Sequence, residues 1–220
     1  DALTRSQAAC LLKAALGWRW LEGDGDHKGR WIRLQKSSRA NRAHLRRFVL
    51  IGLYTGSRPG VTPKLLWSEA ALQAWVDLDR GMVYRRGKGE RETNKRRPVV
   101  KLPARLLAHM RRWKRLDDAA GAARREADPD APPIISVIHR GGAPIKGKIR
   151  TGFEGIVRDA GLPPEVTPHW LRHTAATWLM EGGADLWDAA AYLGMSAKIL
   201  EDHYAHHRPD YQSAARKAIS

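Results

Sequence analysis

The stretch that decides the reading of this chain is TPHWLRHTAATWLMEGGADLWDAAAYLGMSAKILEDHY, residues 167–204. It opens with a helix-start pattern, Thr167 as N-cap and Pro168 at the first helical position, where a missing N–H costs nothing. His169 and Arg172 follow three residues apart, so a helix presents both on one face. Leu171, Ala175, Trp178 and Leu179 form the apolar stripe that packs it down. Gly182-Gly183 stops that helix, because glycine readily takes the left-handed conformation that ends one. A second helix is predicted over residues 186–193, ending at Gly194. A third carries Tyr204 near its end, with His206, His207 and Pro209 beyond. The unit thus presents a histidine and an arginine together and returns a tyrosine two helices later.

Upstream, residues 41–54 read as an amphipathic helix, with Leu45, Phe48, Val49 and Leu53 on one side and Arg42, Arg46 and Arg47 on the other. Gly56 is its stop, and Arg58 sits in the turn beyond. A lone arginine in such a turn is ordinarily a surface residue. Near the start, Thr4 and Gln7 form a capping-box pattern for a helix ending at Gly17. Residues 18–40, mixed Trp, Gly and basic, read as a loop. Residues 75–78 and 82–84 alternate around the turn Asp79-Arg80-Gly81, and residues 99–102 supply a third short strand. Between the second and third strands lies a basic tip, residues 85–97, which by itself is a solvated hairpin. A helix over 104–117, a loop over 118–132, a short strand over 134–138 and a helix over 146–160 follow, with a terminal helix over 209–219. The predicted fold class is α+β: mainly α with a small antiparallel β-sheet.

The 220 residues are 43% hydrophobic, enough for one sizeable core. Lys and Arg outnumber Asp and Glu by 39 to 23, a net charge of +16, which calls for a polyanionic partner such as nucleic acid. The sequence shows no apolar run long enough to span a bilayer, no lipidation motif and no signal peptide. A single cysteine, Cys10, excludes an internal disulfide and fits a reducing compartment. The chain starts at Asp1 rather than Met, so the expectation is a piece of a longer protein.

The box HWLRH at residues 169–173, then Leu193-Gly194-Met195 and Tyr204 nine residues after Met195, resembles the C-terminal signature of the tyrosine recombinases, the phage-type integrases. Thr55-Gly56-Ser57-Arg58 resembles that family's first arginine box, TGxR. Three boxes in order, over nearly the whole chain, make the resemblance specific. It implies the tyrosine recombinase catalytic-domain fold: one catalytic domain over 1–220, with 209–220 as a terminal helix or tail and the family's N-terminal DNA-clamping domain absent from this chain. It implies site-specific cleavage and rejoining of double-stranded DNA, without cofactor, by a homotetramer on two DNA sites that is a monomer in isolation. A cytoplasmic, nucleoid-associated protein encoded by a bacterium, phage or mobile element is expected.

The chemistry agrees with the residues. Breaking a phosphodiester needs a nucleophile, stabilisation of charge on phosphorus and a proton for the leaving oxygen. Carboxylates here are scattered and form no metal set, and His203, His206 and His207 lack a third ligand at zinc geometry. Arginine forks instead match two phosphate oxygens at once. By resemblance, Arg58 and Arg172 hold the phosphate, Tyr204 attacks to leave a 3′-phosphotyrosyl link, His169 is general base or phosphate donor, and a hairpin lysine protonates the 5′-oxygen. Lys95 is preferred for that lysine, with Lys88 the alternative. His173 reads as a packed helix histidine and Tyr192 as core. Arg85, Arg86, Lys88, Arg96, Arg97, Lys146, Lys148 and Arg150 are the candidate DNA contacts. Two positions depart from the family. Met195 replaces the usual His or Trp, and a thioether cannot donate a hydrogen bond. Val61 replaces an acidic buttress of the first arginine, so another group must orient Arg58. The alternative readings are a DNA-binding protein of this fold with an impaired site, and a tyrosyl topoisomerase.

Overall fold

The computed structural model describes residues 2–23, 29–91, 96–147 and 149–219. The chain runs α1 (Arg5–Ala15), β1 (Trp18–Leu21), β2 (Arg30–Arg33), α2 (Lys36–Ala40), α3 (Ala43–Thr55), β3 (Trp75–Asp77), β4 (Met82–Tyr84), β5 (Val99–Lys101) and α4 (Ala104–Ala127). It continues with β6 (His139–Arg140), β7 (Ala143–Pro144), α5 (Arg150–Asp159), α6 (Trp170–Glu181), α7 (Leu186–Leu193), α8 (Ala197–Tyr204) and α9 (Ser213–Ile219). The mainly helical protein with a small antiparallel sheet expected from the sequence is the fold observed. No described helix is long and apolar enough to cross a membrane.

The capping box forms as predicted: Gln7 N donates to Thr4 Oγ1 (3.1 Å) and Thr4 N donates to Gln7 Oε1 (2.9 Å). Helix α3 is the central strut, packing on α1 and α6. Its Phe48 meets Phe153 of α5 edge to face, with ring centroids 6.1 Å apart. Leu11, Ile51, Leu106, Met110, Ile156 and Leu171 close the same core, each sealed from solvent. Each such side chain is worth about 1.5–3 kcal/mol of burial. A second cluster, Ala175, Ala176, Met180, Ala189, Ala190, Leu193 and Leu200, joins α6, α7 and α8. Its alanines let three short helices approach closely, which brings the end of α8 back over α6. The sheet orders β3-β4-β5, antiparallel throughout, with Val76, Val83 and Val100 pointing inward. Trp75 stacks on Tyr84 across it at 4.0 Å.

Several expectations are corrected. Residues 18–40 are no loop: β1 and β2 pair antiparallel and α2 follows. Trp20 and Trp31 pack edge to face (5.6 Å) across that ribbon as a cross-strand pair. Helix α4 continues ten residues past the predicted end, through an alanine- and arginine-rich run of good helix formers. Residues 134–138 make only an isolated bridge, Ser136 with Leu66, and the hairpin lies just after, in β6 and β7. Helix α5 begins at Arg150, after Lys146. Helix α6 begins at Trp170, so Thr167 is not its N-cap. The Thr167 carbonyl instead accepts from Trp170 N (3.0 Å) in a tighter first turn. The basic side of α3 is not a solvated face either. Arg47 is buried in a two-pronged ion pair with Asp117, and Arg42 pairs with the buried Asp159. Those carboxylates lie 70 and 117 residues away in sequence, where helical periodicity carries no information about them.

Candidate active site

Two glycines build the site. Gly56 ends α3 at φ 60° and Gly194 ends α7 at φ 68°, both left-handed. A Cβ on Gly56 would lie 2.3 Å from Leu193 Cδ2, and one on Gly194 would lie 2.5 Å from Pro98 Cδ and 2.9 Å from the Arg96 carbonyl. Only glycine lets the turn after α3, the hairpin and the α7–α8 junction close on one another. Their carbonyls then hold the arginines. Arg172 Nη1 donates to Gly56 O and Leu193 O, both at 2.7 Å. Arg58 Nη1 donates to Arg96 O (2.7 Å) and its Nη2 to Gly194 O (3.3 Å). Backbone carbonyls thus do the orienting work that an acidic residue in place of Val61 would do.

Arg85, expected as a DNA contact, is corrected: it is 3% exposed. Its guanidinium is consumed by Ser57 Oγ (3.0 Å), Tyr192 O (2.8 Å) and Thr55 O. It clamps the start of the hairpin to the turn that carries Arg58. No carboxylate pairs with Arg58, Arg85 or Arg172 among the described residues. Burial, then the charge of Arg58, brings Arg172 down to about 10; burial, then the charge of Arg172, does the same to Arg85. Both stay protonated at neutral pH. Positive charge is concentrated here without an internal counter-charge.

Arg58, His169, Arg172, His173, Met195 and Tyr204 line one open cleft of about 800 Å³, together with His203, His206 and His207. Four of the five predicted catalytic side chains therefore meet. Met195 faces the same cleft, so the substitution is at the site itself. Tyr204, the last residue of α8, places its hydroxyl 2.5 Å from His173 Nδ1. Burial raises the Tyr204 phenol above its ordinary value, against the pull of Arg172. Burial, followed by the charges of His169, Arg172 and His203, lowers His173. Tyr192 takes a core role, its hydroxyl donating to Tyr54 O (2.9 Å) and its pKa pushed up to about 12 by burial. Among the described residues no group of three or more metal-ligating side chains is present.

Lys95, the preferred hairpin lysine, lies outside the described residues, as does Lys148. Lys88 does not join the cleft; it ion-pairs with Glu69 (3.0 Å) on a separate pocket along β3 and β4. Arg86, Arg96 and Arg97 border a pocket shared with Gly194, Met195 and the exposed Trp187, next to the cleft. Arg97 also pairs with Glu90, and Arg150 with Glu154 (2.7 Å). Lys146 is exposed. Sequence reasoning missed His173 and the structural duty of Arg85. His169 and His173 are four apart on a helix, hence on one face, and that spacing was the available signal.

The profile of the phage integrase family matches residues 32–210. The tyrosine recombinase XerC of Chlamydia caviae is 30% identical over 163 residues, covering 70% of this chain and 48% of that protein. The tyrosine recombinase XerD of Listeria monocytogenes is 31% identical over 135 residues, covering 60% of this chain and 41% of that protein. The chain thus spans about half the length of the curated relatives it matches. Among solved structures, the Tn1549 transposon integrase in complex with circular intermediate DNA superposes with a TM-score of 0.64 at 17% identity, covering 100% of this chain and 67% of that one. The catalytic domain of bacteriophage HP1 integrase gives 0.56 at 17%, covering 99% and 94%. At those identities the likeness is one of fold. The family profile runs from within β2 through the turn of Arg58 to Tyr204 and beyond, and the chain belongs to the phage integrase family.

Proposed function

We propose that this chain cleaves and rejoins double-stranded DNA at specific sites through a 3′-phosphotyrosyl intermediate. The observation that carries the reading is the cleft: two guanidiniums with no carboxylate partner among the described residues share one open space with a tyrosine hydroxyl. A scissile phosphate supplies the missing negative charge, and arginine forks match its oxygens. Tyr204 is the nucleophile, Arg58 and Arg172 stabilise charge developing on phosphorus, and His169, which lines the same cleft, is the proposed donor to a phosphate oxygen. A covalent phosphotyrosine conserves the bond energy, so a strand can be rejoined to a new end without a nucleotide cofactor. Lys95 is proposed as the acid for the 5′-oxygen. Lys88, held by Glu69, is the weaker candidate.

The basic groups Arg86, Arg96 and Arg97 beside the cleft, Arg96 exposed and the other two part-buried, suit the flanking phosphates, with Lys146, Lys148 and Arg150 further along the chain. DNA is the proposed partner, in keeping with the DNA complex of the Tn1549 integrase. Residues 1–220 are read as one catalytic unit, with 209–220 its tail, working as a tetramer on two sites in the cytoplasm. Met195 leaves the phosphate one donor short, and the reading of an impaired DNA-binding relative rests on that single residue. The retained quartet of Arg58, His169, Arg172 and Tyr204 favours catalysis.

The test is a covalent trap. The full-length protein and its Tyr204→Phe and Tyr192→Phe variants are incubated without metal on nicked suicide duplexes bearing their flanking DNA, then run under denaturing conditions. An adduct that survives chelator and Tyr192→Phe and vanishes in Tyr204→Phe is expected. An adduct persisting in Tyr204→Phe would overturn the assignment.

A further inference from the structure

The side chain in hydrogen-bond contact with the Tyr204 hydroxyl is His173, the residue after Arg172, and not the His169 that the sequence pattern singles out. The contact joins two elements, α6 and α8, whose approach is fixed by the alanine-lined second core. The 2.5 Å separation between Nδ1 and the phenol is that of a strong hydrogen bond. His169 lines the same cleft one helical turn earlier, with both histidines on the face that carries Arg172.

Building on the strand-cleavage reading above, we propose that His173 is the proton acceptor for Tyr204: its Nδ1 takes the phenolic proton as the oxygen attacks phosphorus and returns it on rejoining. In the forward step the Tyr204 Oη–P bond forms and the P–O5′ bond breaks. The phenolic proton passes to His173 Nδ1, and the 5′-oxygen takes a separate proton from the hairpin lysine. Rejoining reverses each transfer. No oxidant or second substrate enters.

Three features suit His173 to the task. Burial and the surrounding positive charge hold its pKa below the ordinary value, which favours the neutral imidazole, and a neutral imidazole that accepts the phenolic hydrogen at Nδ1 is the form the proposal requires. The phenol is held above its ordinary pKa and does not ionise unaided near neutral pH, so an acceptor in contact has work to perform. The positive charges that disfavour the imidazolium are those that an entering phosphate neutralises, so His173 becomes a better base as DNA binds. His169 is thereby left to donate to a phosphate oxygen, a division of labour that the resemblance alone left open.

The experiment measures single-turnover adduct formation by the full-length protein on its own flanking DNA, for wild type, His173→Asn and His173→Ala. Two duplexes are used, one with the ordinary 5′-oxygen and one with a 5′-bridging sulfur, whose thiolate leaves without needing a proton. Asparagine can present an acceptor where Nδ1 was but has no basicity. Gel shifts and thermal unfolding matching wild type establish that the variants are folded. Both variants are expected to form adduct about 10²–10⁴-fold more slowly, on the oxygen and the sulfur duplex alike. A wild-type rate for His173→Asn beside a slow His173→Ala would make His173 a positioning residue and overturn the proposal. So would recovery of both variants on the sulfur duplex, since that marks a group serving the leaving oxygen. Normal rates in both variants while the wild type forms adduct would sink the proposal and leave the strand-cleavage reading standing. A wild type that forms no adduct on either duplex would take both down.

Discussion

Arg47 and Arg172 sit on helices that pack against each other, α3 and α6; Arg47 is buried, Arg172 is part-buried at the wall of the cleft, and their surroundings differ in kind. Arg47 is matched. Asp117 accepts from both of its terminal nitrogens at 2.7 Å, and the same carboxylate receives Trp67 Nε1 (2.9 Å) and meets His139 Nε2 (3.0 Å). Arg172 donates to two backbone carbonyls, with no carboxylate partner among the described residues, and its neighbours Arg58 and Arg85 carry the same sign. A buried charge is tolerated when it is paired, and removing one partner is costly because the other is stranded. A perturbed charge held by dipoles among like charges is a mark of functional sites. The first arrangement is a structural ion pair, and the second is the one that the strand-cleavage proposal assigns to a phosphate.

That contrast can be broken from either side. Arg47→Ala should destabilise the protein by about 3–5 kcal/mol, because Asp117 stays buried without its counter-charge. Denaturant titration measures it, and a change under about 1 kcal/mol would erase the distinction. Arg58→Lys should leave thermal unfolding near wild type while slowing adduct formation on the order of 10²–10³-fold, since an ammonium cannot replace a planar fork. A loss of stability matching the loss of rate would show that Arg58 is structural after all.

Acid sharpens the comparison with a smaller effect. Burial works against the ionised form of Asp117, but the hydrogen bonds from Arg47 and His139 outweigh it and bring its pKa from 3.8 to about 2. A depressed carboxylate contributes stability that is complete above its unfolded pKa and lost as pH falls through the folded one. Asp117 should therefore give up on the order of 2 kcal/mol between about pH 4 and pH 2. His44, lowered from 6.5 to about 4 chiefly by burial, acts in the same direction at higher pH, since the unfolded chain binds its proton first. Wild-type stability should thus decline below about pH 6.5 and fall further below pH 4, and Asp117→Asn should remove the lower limb. A lower limb of unchanged size in that variant would count against the assignment.

Local chemistry made much of the site legible. The helix 186–193 and its glycine stop were read to the residue, because a left-handed cap depends on the residue at that position alone. Gly56 and the turn of Arg58 were equally plain, as was the three-stranded sheet with its alternating valines. That Arg58, His169, Arg172, Met195 and Tyr204 belong to one site was legible only through the resemblance to the tyrosine recombinases, and the five line one cleft. Lys95 falls outside the described residues, and Lys88 went elsewhere because Glu69 lies near it.

What the sequence determined by itself was the order of the elements, their apolar faces, the excess of positive charge and the motifs that carry the family resemblance. Only the tertiary structure decided which arginines are neutralised and which are held ready. It turned the basic side of α3 into paired core by bringing Asp117 and Asp159 to it, withdrew Arg85 from the surface, and set His173 rather than His169 against Tyr204. Each of those outcomes depends on partners between 28 and 117 residues apart in the chain, and the free energy of a buried charge is fixed by the groups that fold around it.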